Sequence, residues 1–152
     1  EIADRVIKEI EGGKWDFIKM NFPNGDMVGH TGVYEAVVCS MEALDLQIER
    51  IRKAVEKAGG IMLITADHGN ADDMFEHKKD GSVAYKENGD PKPKTSHSLN
   101  PVPCILYDPA YHGEYDKKLN SGLGISSIAA TCMELLGFVP PSDYDKSIVS
   151  MK

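Results

Sequence analysis

Three short blocks of the sequence carry side chains that could hold a metal ion: Asp26-Met27-Val28-Gly29-His30, Thr65-Ala66-Asp67-His68-Gly69-Asn70 and Thr95-Ser96-His97-Ser98. Carboxylate oxygen and neutral imidazole nitrogen are the donors favoured by Mn²⁺, Zn²⁺ and Fe²⁺, and Asp26 and His30, four apart across Gly29, could reach one ion from a single loop. Taken singly, each block has a plainer reading. A lone Asp26 or His30 suits a cap or a solvated turn, and Asp67-His68-Gly69 suits an Asp-initiated turn. Their recurrence shifts the balance, because three of the five histidines sit in such blocks and Asp67-His68 directly follows the most apolar run of the chain.

The remaining candidates carry less. His77 and His112 lie in polar stretches and are read as solvated. Ser96 and Ser98 flank His97 without a nucleophile elbow, so loop hydrogen bonding is their expected role. Asp72 and Asp73 are read as solvated loop carboxylates, with contacts behind the metal ligands as the alternative. Cys39, Cys104 and Cys132 are an odd number with no C-x-x-C spacing. They suggest neither a disulfide framework nor a thiolate zinc site, and the expected role is buried thiols in a reducing cytoplasm.

The elements that must position these blocks follow from periodicity. Ile2, Val6, Ile7 and Ile10 mark an opening helix that stops at Gly12-Gly13. No initiator Met precedes it, and the chain is expected to begin inside a longer protein. Trp15 to Met20 alternates at a period of two and reads as a strand. Val33, Val37, Met41, Leu44, Ile48, Ile51 and Val55 recur at three or four across Gly32 to Lys57, a long amphipathic helix. Gly60 to Ala66 reads as a buried strand of the kind parallel sheets use, and residues 70–96 as a long polar loop with a short hairpin around Val83-Ala84-Tyr85. Val102 to Tyr107 gives a third strand, with Pro103 near its start, and Ile125 to Leu136 a closing helix. No internal repeat is apparent. Alternating strands and helices predict an α/β layered fold with a mainly parallel sheet, but three strands are few, so the sheet is expected to be incomplete.

Composition narrows the partners. With 24 acidic and 17 basic residues the formal charge is −7, which disfavours nucleic acid. The longest strongly apolar run, Ile61 to Ile64, is far too short to span a membrane, and no leader pattern opens the chain, so a cytoplasmic protein is expected.

Read together, Asn24-Gly25-Asp26-Met27-Val28-Gly29-His30-Thr31-Gly32, Thr65-Ala66-Asp67-His68-Gly69-Asn70-Ala71-Asp72 and Thr95-Ser96-His97-Ser98-Leu99-Asn100-Pro101-Val102-Pro103 resemble the C-terminal part of 2,3-bisphosphoglycerate-independent phosphoglycerate mutases, members of the alkaline phosphatase superfamily. The resemblance runs through essentially the whole chain in order. It implies a three-layer alkaline-phosphatase-like α/β core, with residues 1–152 forming the C-terminal portion of a metal-binding phosphotransferase domain. It also implies interconversion of 3-phosphoglycerate and 2-phosphoglycerate through a phosphoserine intermediate, as in glycolysis and gluconeogenesis. Two divalent ions are implied, Mn²⁺ first, with Zn²⁺, Co²⁺ or Mg²⁺ as alternatives. Asp26, His30 and His97 would hold one ion, and Asp67 and His68 the other. The nucleophilic serine and the glycerate-gripping domain match nothing here and are expected upstream of Glu1. The intact protein is expected to be a monomer acting on a small-molecule substrate, and the isolated chain inactive and able to self-associate. The competing readings are another phosphomutase or phosphatase of the superfamily, and a non-catalytic metal-binding domain.

Three ligands against two predicts unequal sites. Protons compete with metal for imidazole, so Mn²⁺ or Zn²⁺ is expected to raise the melting temperature more at about pH 7.5 than at about pH 5.5. His97→Ala is expected to remove more of that shift than His68→Ala; thermal melts of the three proteins with and without metal check both points.

Overall fold

A computed structural model describes all 152 residues. They divide into two compact units, Glu1–Asp108 and Pro109–Lys152.

The first unit is organised by two helices whose apolar stripes face each other. Helix α1 spans Ile2–Gly12 and buries Ala3 and Val6. Helix α3 spans Tyr34–Ala58, 25 residues, and buries Val37, Ser40, Ile51, Ala54 and Val55. Ala3, Val6, Ile51 and Val55 form one core, with Ile7, Ile10, Ile18, Met20, Phe22 and Met62 packed around it. Arg52 ties α3 to the following sheet: its guanidinium donates to Glu49, to Glu56 and, at 2.8 Å, to the Tyr107 hydroxyl. The hydrogen bonds from Arg52 and Lys53 pull the Glu49 carboxyl down to about 2. Strands β1, Met62–Thr65, and β2, Cys104–Tyr107, pair with Met62 opposite Tyr107 and Thr65 opposite Cys104.

Several expectations change here. The β1–β2 pairing is antiparallel, so the two strands do not display the parallel character expected of the sheet. Both are half-buried rather than fully covered, as a two-stranded sheet must be. Trp15 to Met20 is irregular, with a bend at Asp16, and not a strand, because no neighbouring strand in the chain takes its backbone groups. Its alternation still sorts the side chains, sending Ile18 and Met20 to the core and leaving Trp15 and Phe17 54% exposed. The block around Asp26 is not a loop but a short helix, α2, Asn24–Gly29, entered through Pro23, whose fixed φ suits a helix start. Cys39 is exposed on α3, contrary to its expected burial; Cys104 and Cys132 are half-buried, and burial pushes both thiols up.

The polar stretch after residue 70 has more order than one short hairpin. Three ribbon segments, 74–78, 82–86 and 90–94, each pair with both others through the bridges His77–Val83, Tyr85–Pro91 and Phe75–Pro93. At its centre Ala84 N–H donates to the Glu76 carbonyl, Lys92 N–H to Ala84 and Glu76 N–H to Lys92, a closed ring of three bonds at 2.7–2.9 Å. The two turns repeat at an interval of eight residues. Gly81 and Gly89, at φ 83° and 87°, supply the left-handed step, while Asp80 and Asn88 accept from the backbone two residues on. A repeat is therefore present where none was apparent. It escaped the sequence because Pro91 and Pro93 interrupt the apparent strand pattern. They are tolerated because the intervening N–H groups of Lys92 and Lys94 make the bonds.

In the second unit a 3₁₀ turn, Ile125–Ser127, leads into helix α4, Ile128–Leu135. Thr131, fully buried, donates to the Ser127 carbonyl and accepts from Ile148 N–H, which pins the segment after Ser147 to the helix. Tyr115 bridges Met151.

Ile51 is 3% exposed at the α1–α3 contact. Ile51→Ala is expected to lower unfolding free energy by about 2–5 kcal/mol, read from urea denaturation, through lost burial and the cavity left behind.

Candidate metal centre

Three segments far apart in sequence meet at the oxygen Oδ1 of Asp26. His30, just beyond the end of α2 and four residues after Asp26, places Nε2 3.1 Å from it. His97, in the segment leading to β2, places Nε2 at 3.1 Å from the same oxygen and 3.3 Å from His30 Nε2. Asp26, His30 and His97 thus form a compact triangle of ligand atoms. Ligand bonds of about 2.0–2.2 Å opening at about 90–110° give ligand-to-ligand edges of about 2.8–3.6 Å. The observed edges fall in that range, so this donor set fits a first-row divalent cation.

His68 approaches without joining the triangle. Its Nε2 lies 4.0 Å from Asp26 Oδ1, and its ring stacks on His97 at a centroid distance of 3.7 Å and 16° between planes. Asp67 stands apart. Its side chain is 81% exposed, with Oδ2 3.8 Å from His68 Nε2. The structure therefore gathers Asp26, His30 and His97 as one set, keeps His68 beside it and turns Asp67 outward.

Neighbouring groups orient the ligands. His30 Nδ1 faces the Thr95 carbonyl at 2.7 Å, so that nitrogen carries the proton and Nε2 presents its lone pair to the centre. Asn70 Nδ2 donates to Asp26 Oδ1 at 2.9 Å and to the Asp26 carbonyl at 3.3 Å. That hydrogen bond holds the Asp26 carboxyl below the usual carboxylate range, and partial burial opposes it.

Asp72 is exposed, as expected of a loop carboxylate, but it is engaged. Oδ2 accepts from Ser98 Oγ and from Asn100 Nδ2, both at 2.7 Å, while Ser98 N–H donates to the Gly69 carbonyl. His97 is thereby held on a segment latched to the turn after β1. Ser98 has the hydrogen-bonding role expected of it. A Cβ on Gly69 would lie 2.1 Å from Ser98 Oγ and 2.5 Å from Asp72 Oδ1, so the latch needs glycine there. Asp73 is likewise engaged, at 2.5 Å from Lys94 Nζ and 3.5 Å from His77 Nδ1, so His77 also has a carboxylate neighbour. His112 is exposed, as expected.

The ribbon stretch is fastened to the same region. Tyr34, at the start of α3, stacks on Phe75 with centroids 5.6 Å apart, and Gly32 lies against Pro93 and Thr95. Thr95, Asn70, Asp72 and Asn100 are the positioning groups that the sequence reading missed or undervalued. All four lie inside the segments 65–72 and 95–103 that carry the resemblance, but side-chain direction is not written in residue type.

A sequence profile described as the Metalloenzyme superfamily matches residues 1–140. A probable 2,3-bisphosphoglycerate-independent phosphoglycerate mutase of Leptospira interrogans is 45% identical over 148 residues, which cover 97% of this chain and 27% of that protein. The corresponding mutase of Trypanosoma brucei brucei is 41% identical, with 99% and 28% covered. Among solved structures, a Leishmania mexicana phosphoglycerate mutase, crystallised at low cobalt concentration, superposes with a TM-score of 0.93 at 36% identity, covering 99% of this chain and 28% of that one. The chain thus spans just over a quarter of the length of these relatives.

Burial pushes the Asp72 carboxyl up, but the hydrogen bonds from Ser98, Asn100 and backbone N–H groups outweigh it and leave it below its ordinary value. A carboxyl lowered in the folded state adds stability above its unfolded value, near 3.9, and loses it as the pH falls through the lower folded value. Asp72→Asn is accordingly expected to flatten the loss of stability between about pH 4 and pH 2, measured by urea midpoints along an acid series.

Proposed function

The chain belongs to the Metalloenzyme superfamily, with its alkaline-phosphatase-like fold, and on that premise we propose that it is the metal-binding portion of a 2,3-bisphosphoglycerate-independent phosphoglycerate mutase. The observation that carries this reading is the Asp26–His30–His97 triangle with cation-sized edges, in a chain resembling such mutases along 97–99% of its length.

In this reading Asp26, His30 and His97 hold one divalent ion, and Asp67 and His68 contribute to a second. Two such ions, when bound, would neutralise a phosphomonoester and stabilise the attacking and leaving oxygens of an in-line displacement. This chain's own contribution is positional. The Thr95 carbonyl keeps the His30 proton on Nδ1, Asn70 orients the Asp26 carboxylate, and the Asp72–Ser98 latch sets His97. Asp67, exposed in this chain, has the freedom to turn toward an ion beside His68. The nucleophilic serine is assigned to a part of the protein outside residues 1–152. Mn²⁺ is the proposed ion, and Zn²⁺, Co²⁺ or Mg²⁺ offers similar chemistry. The proposed setting is glycolysis and gluconeogenesis in the cytoplasm. No helix is long and apolar enough to cross a membrane.

The test is a coupled assay of 3-phosphoglycerate and 2-phosphoglycerate interconversion with Mn²⁺. A longer protein containing this chain is expected to be active and to lose activity on Asp26→Ala or His97→Ala. The 152-residue chain alone is expected to show none, since metal ligands do not replace a nucleophile. Full activity in either variant of the longer protein would overturn the reading. Turnover by the purified chain would overturn the assignment of the nucleophile.

A further inference from the structure

We infer that Asn70 is a positioning residue of the metal centre, whose amide fixes the Asp26 carboxylate against His30 and His97 and so sets the affinity for a divalent cation. The inference rests on the reading of Asp26, His30 and His97 as ligands and adds a residue outside that set.

The first support is the identity of the donors around Asp26 Oδ1. His30 Nε2 and His97 Nε2 both lie 3.1 Å from this oxygen, and His30 has its Nδ1 proton on the Thr95 carbonyl. With both Nε2 lone pairs turned to a cation, neither imidazole gives a carboxylate oxygen anything to bond. The Asn70 amide is a donor whatever the imidazoles do, and it reaches both Oδ1, at 2.9 Å, and the Asp26 backbone carbonyl, at 3.3 Å. One NH₂ group thus restrains the side chain and the backbone of the same ligand before any cation arrives. Orienting a ligand in advance removes part of the ordering cost of binding.

The second support is what the arrangement sacrifices. Only the NH₂ end of the amide can face two acceptors, so the orientation of Asn70 is settled and its Oδ1 must point the other way. There, in a residue only 4% exposed, Oδ1 is buried with no hydrogen-bond partner. An unpaired buried acceptor is costly, and a side chain serving packing alone would be better replaced by an apolar one. Keeping the amide makes sense if its other end is needed where it is.

The third support is the recess that receives it. Gly29 lies on α2, three residues after Asp26, and a Cβ there would stand 2.3 Å from Asn70 Oδ1 and 2.7 Å from its Cγ. The glycine leaves a slot in which the amide fits against the helix that carries the ligand. Asn70 also follows Asp67 and His68 in the same turn, so its bond to Asp26 fastens that pair beside the triangle.

Calorimetric titration with Mn²⁺ of the 152-residue chain and its variants tests this. Asn70→Ala is expected to weaken Mn²⁺ binding by about 10–100-fold, the usual effect of removing a group that orients a ligand. Gly29→Ala, which leaves the amide chemistry intact but drives a methyl group into it, is expected to weaken binding in the same direction and serves if the first variant does not fold. Ile51→Ala, destabilised at the α1–α3 core, is the comparison. It should retain wild-type affinity at a temperature where all variants are folded by circular dichroism. Wild-type affinity in Asn70→Ala or in Gly29→Ala would overturn the inference. So would equal weakening in Ile51→Ala, which would mean that affinity follows stability alone. Absence of Mn²⁺ binding by the unsubstituted chain would instead overturn the metal-centre reading on which the inference rests.

Discussion

A carboxylate oxygen and two imidazole nitrogens within 3.1–3.3 Å of one another are an unfavourable grouping unless something positive lies among them. Each is a Lewis base, and without a cation at most a shared proton relieves the contact. Much of the surrounding structure can be understood as what holds that grouping together. Helix α2 puts Asp26 just ahead of His30 on one short turn, the Thr95 carbonyl fixes the imidazole tautomer, and Asp72 secures the segment that carries His97. None of these contacts is large. Their effect comes from acting on three segments that have no other reason to converge.

Convergence requires stiff parts between those segments. Helix α3, about 37 Å long, begins next to His30 and leads through Gly59-Gly60 to β1, whose end carries Asp67 and His68. Its packing against α1 and the Arg52 bond to Tyr107 fix the far end of that route, and the Ser40 hydroxyl, donating to the Asn24 carbonyl, ties its near end to α2. The ribbon stretch performs the same service between Asp72 and Thr95. Its Tyr34–Phe75 stack and the contact of Gly32 with Pro93 close it onto the start of α3. On the proposed metal-binding reading, affinity and the folding of a distant polar segment would be coupled through ordinary packing.

What the sequence could convey depended on whether a signal is local. The apolar period of α3 is local, and the helix occupies Tyr34–Ala58 much as its spacing requires. Ligand chemistry is local as well: Asp26, His30 and His97 were identifiable by residue type, and only the resemblance, not the residues themselves, set them apart from Asp67 and His68 as one group. Strand identity is not local. Trp15 to Met20 has the alternation of a strand but no partner here, and the antiparallel sense of β1 and β2 is a fact about two segments. Helix α2 was hidden by its six-residue length and two glycines. The orientations of Asn70 and Asp72 depend on neighbours 44 and 26 residues away, beyond any pattern in a single window.

The closed ring of ribbons between Met74 and Lys94 has a consequence for how this exposed insert behaves in a crowded solution. A sheet usually ends in edge strands whose free N–H and C=O groups can recruit another chain, and native proteins blunt them with charge or proline. Here each segment has its two flanks occupied by the other two, so the insert has largely removed its own edges, and Pro91 and Pro93 stand where a remaining donor would project. The long hydrophilic insert, which polarity and loop length would mark as the weak point, is thereby inert toward intermolecular β-pairing.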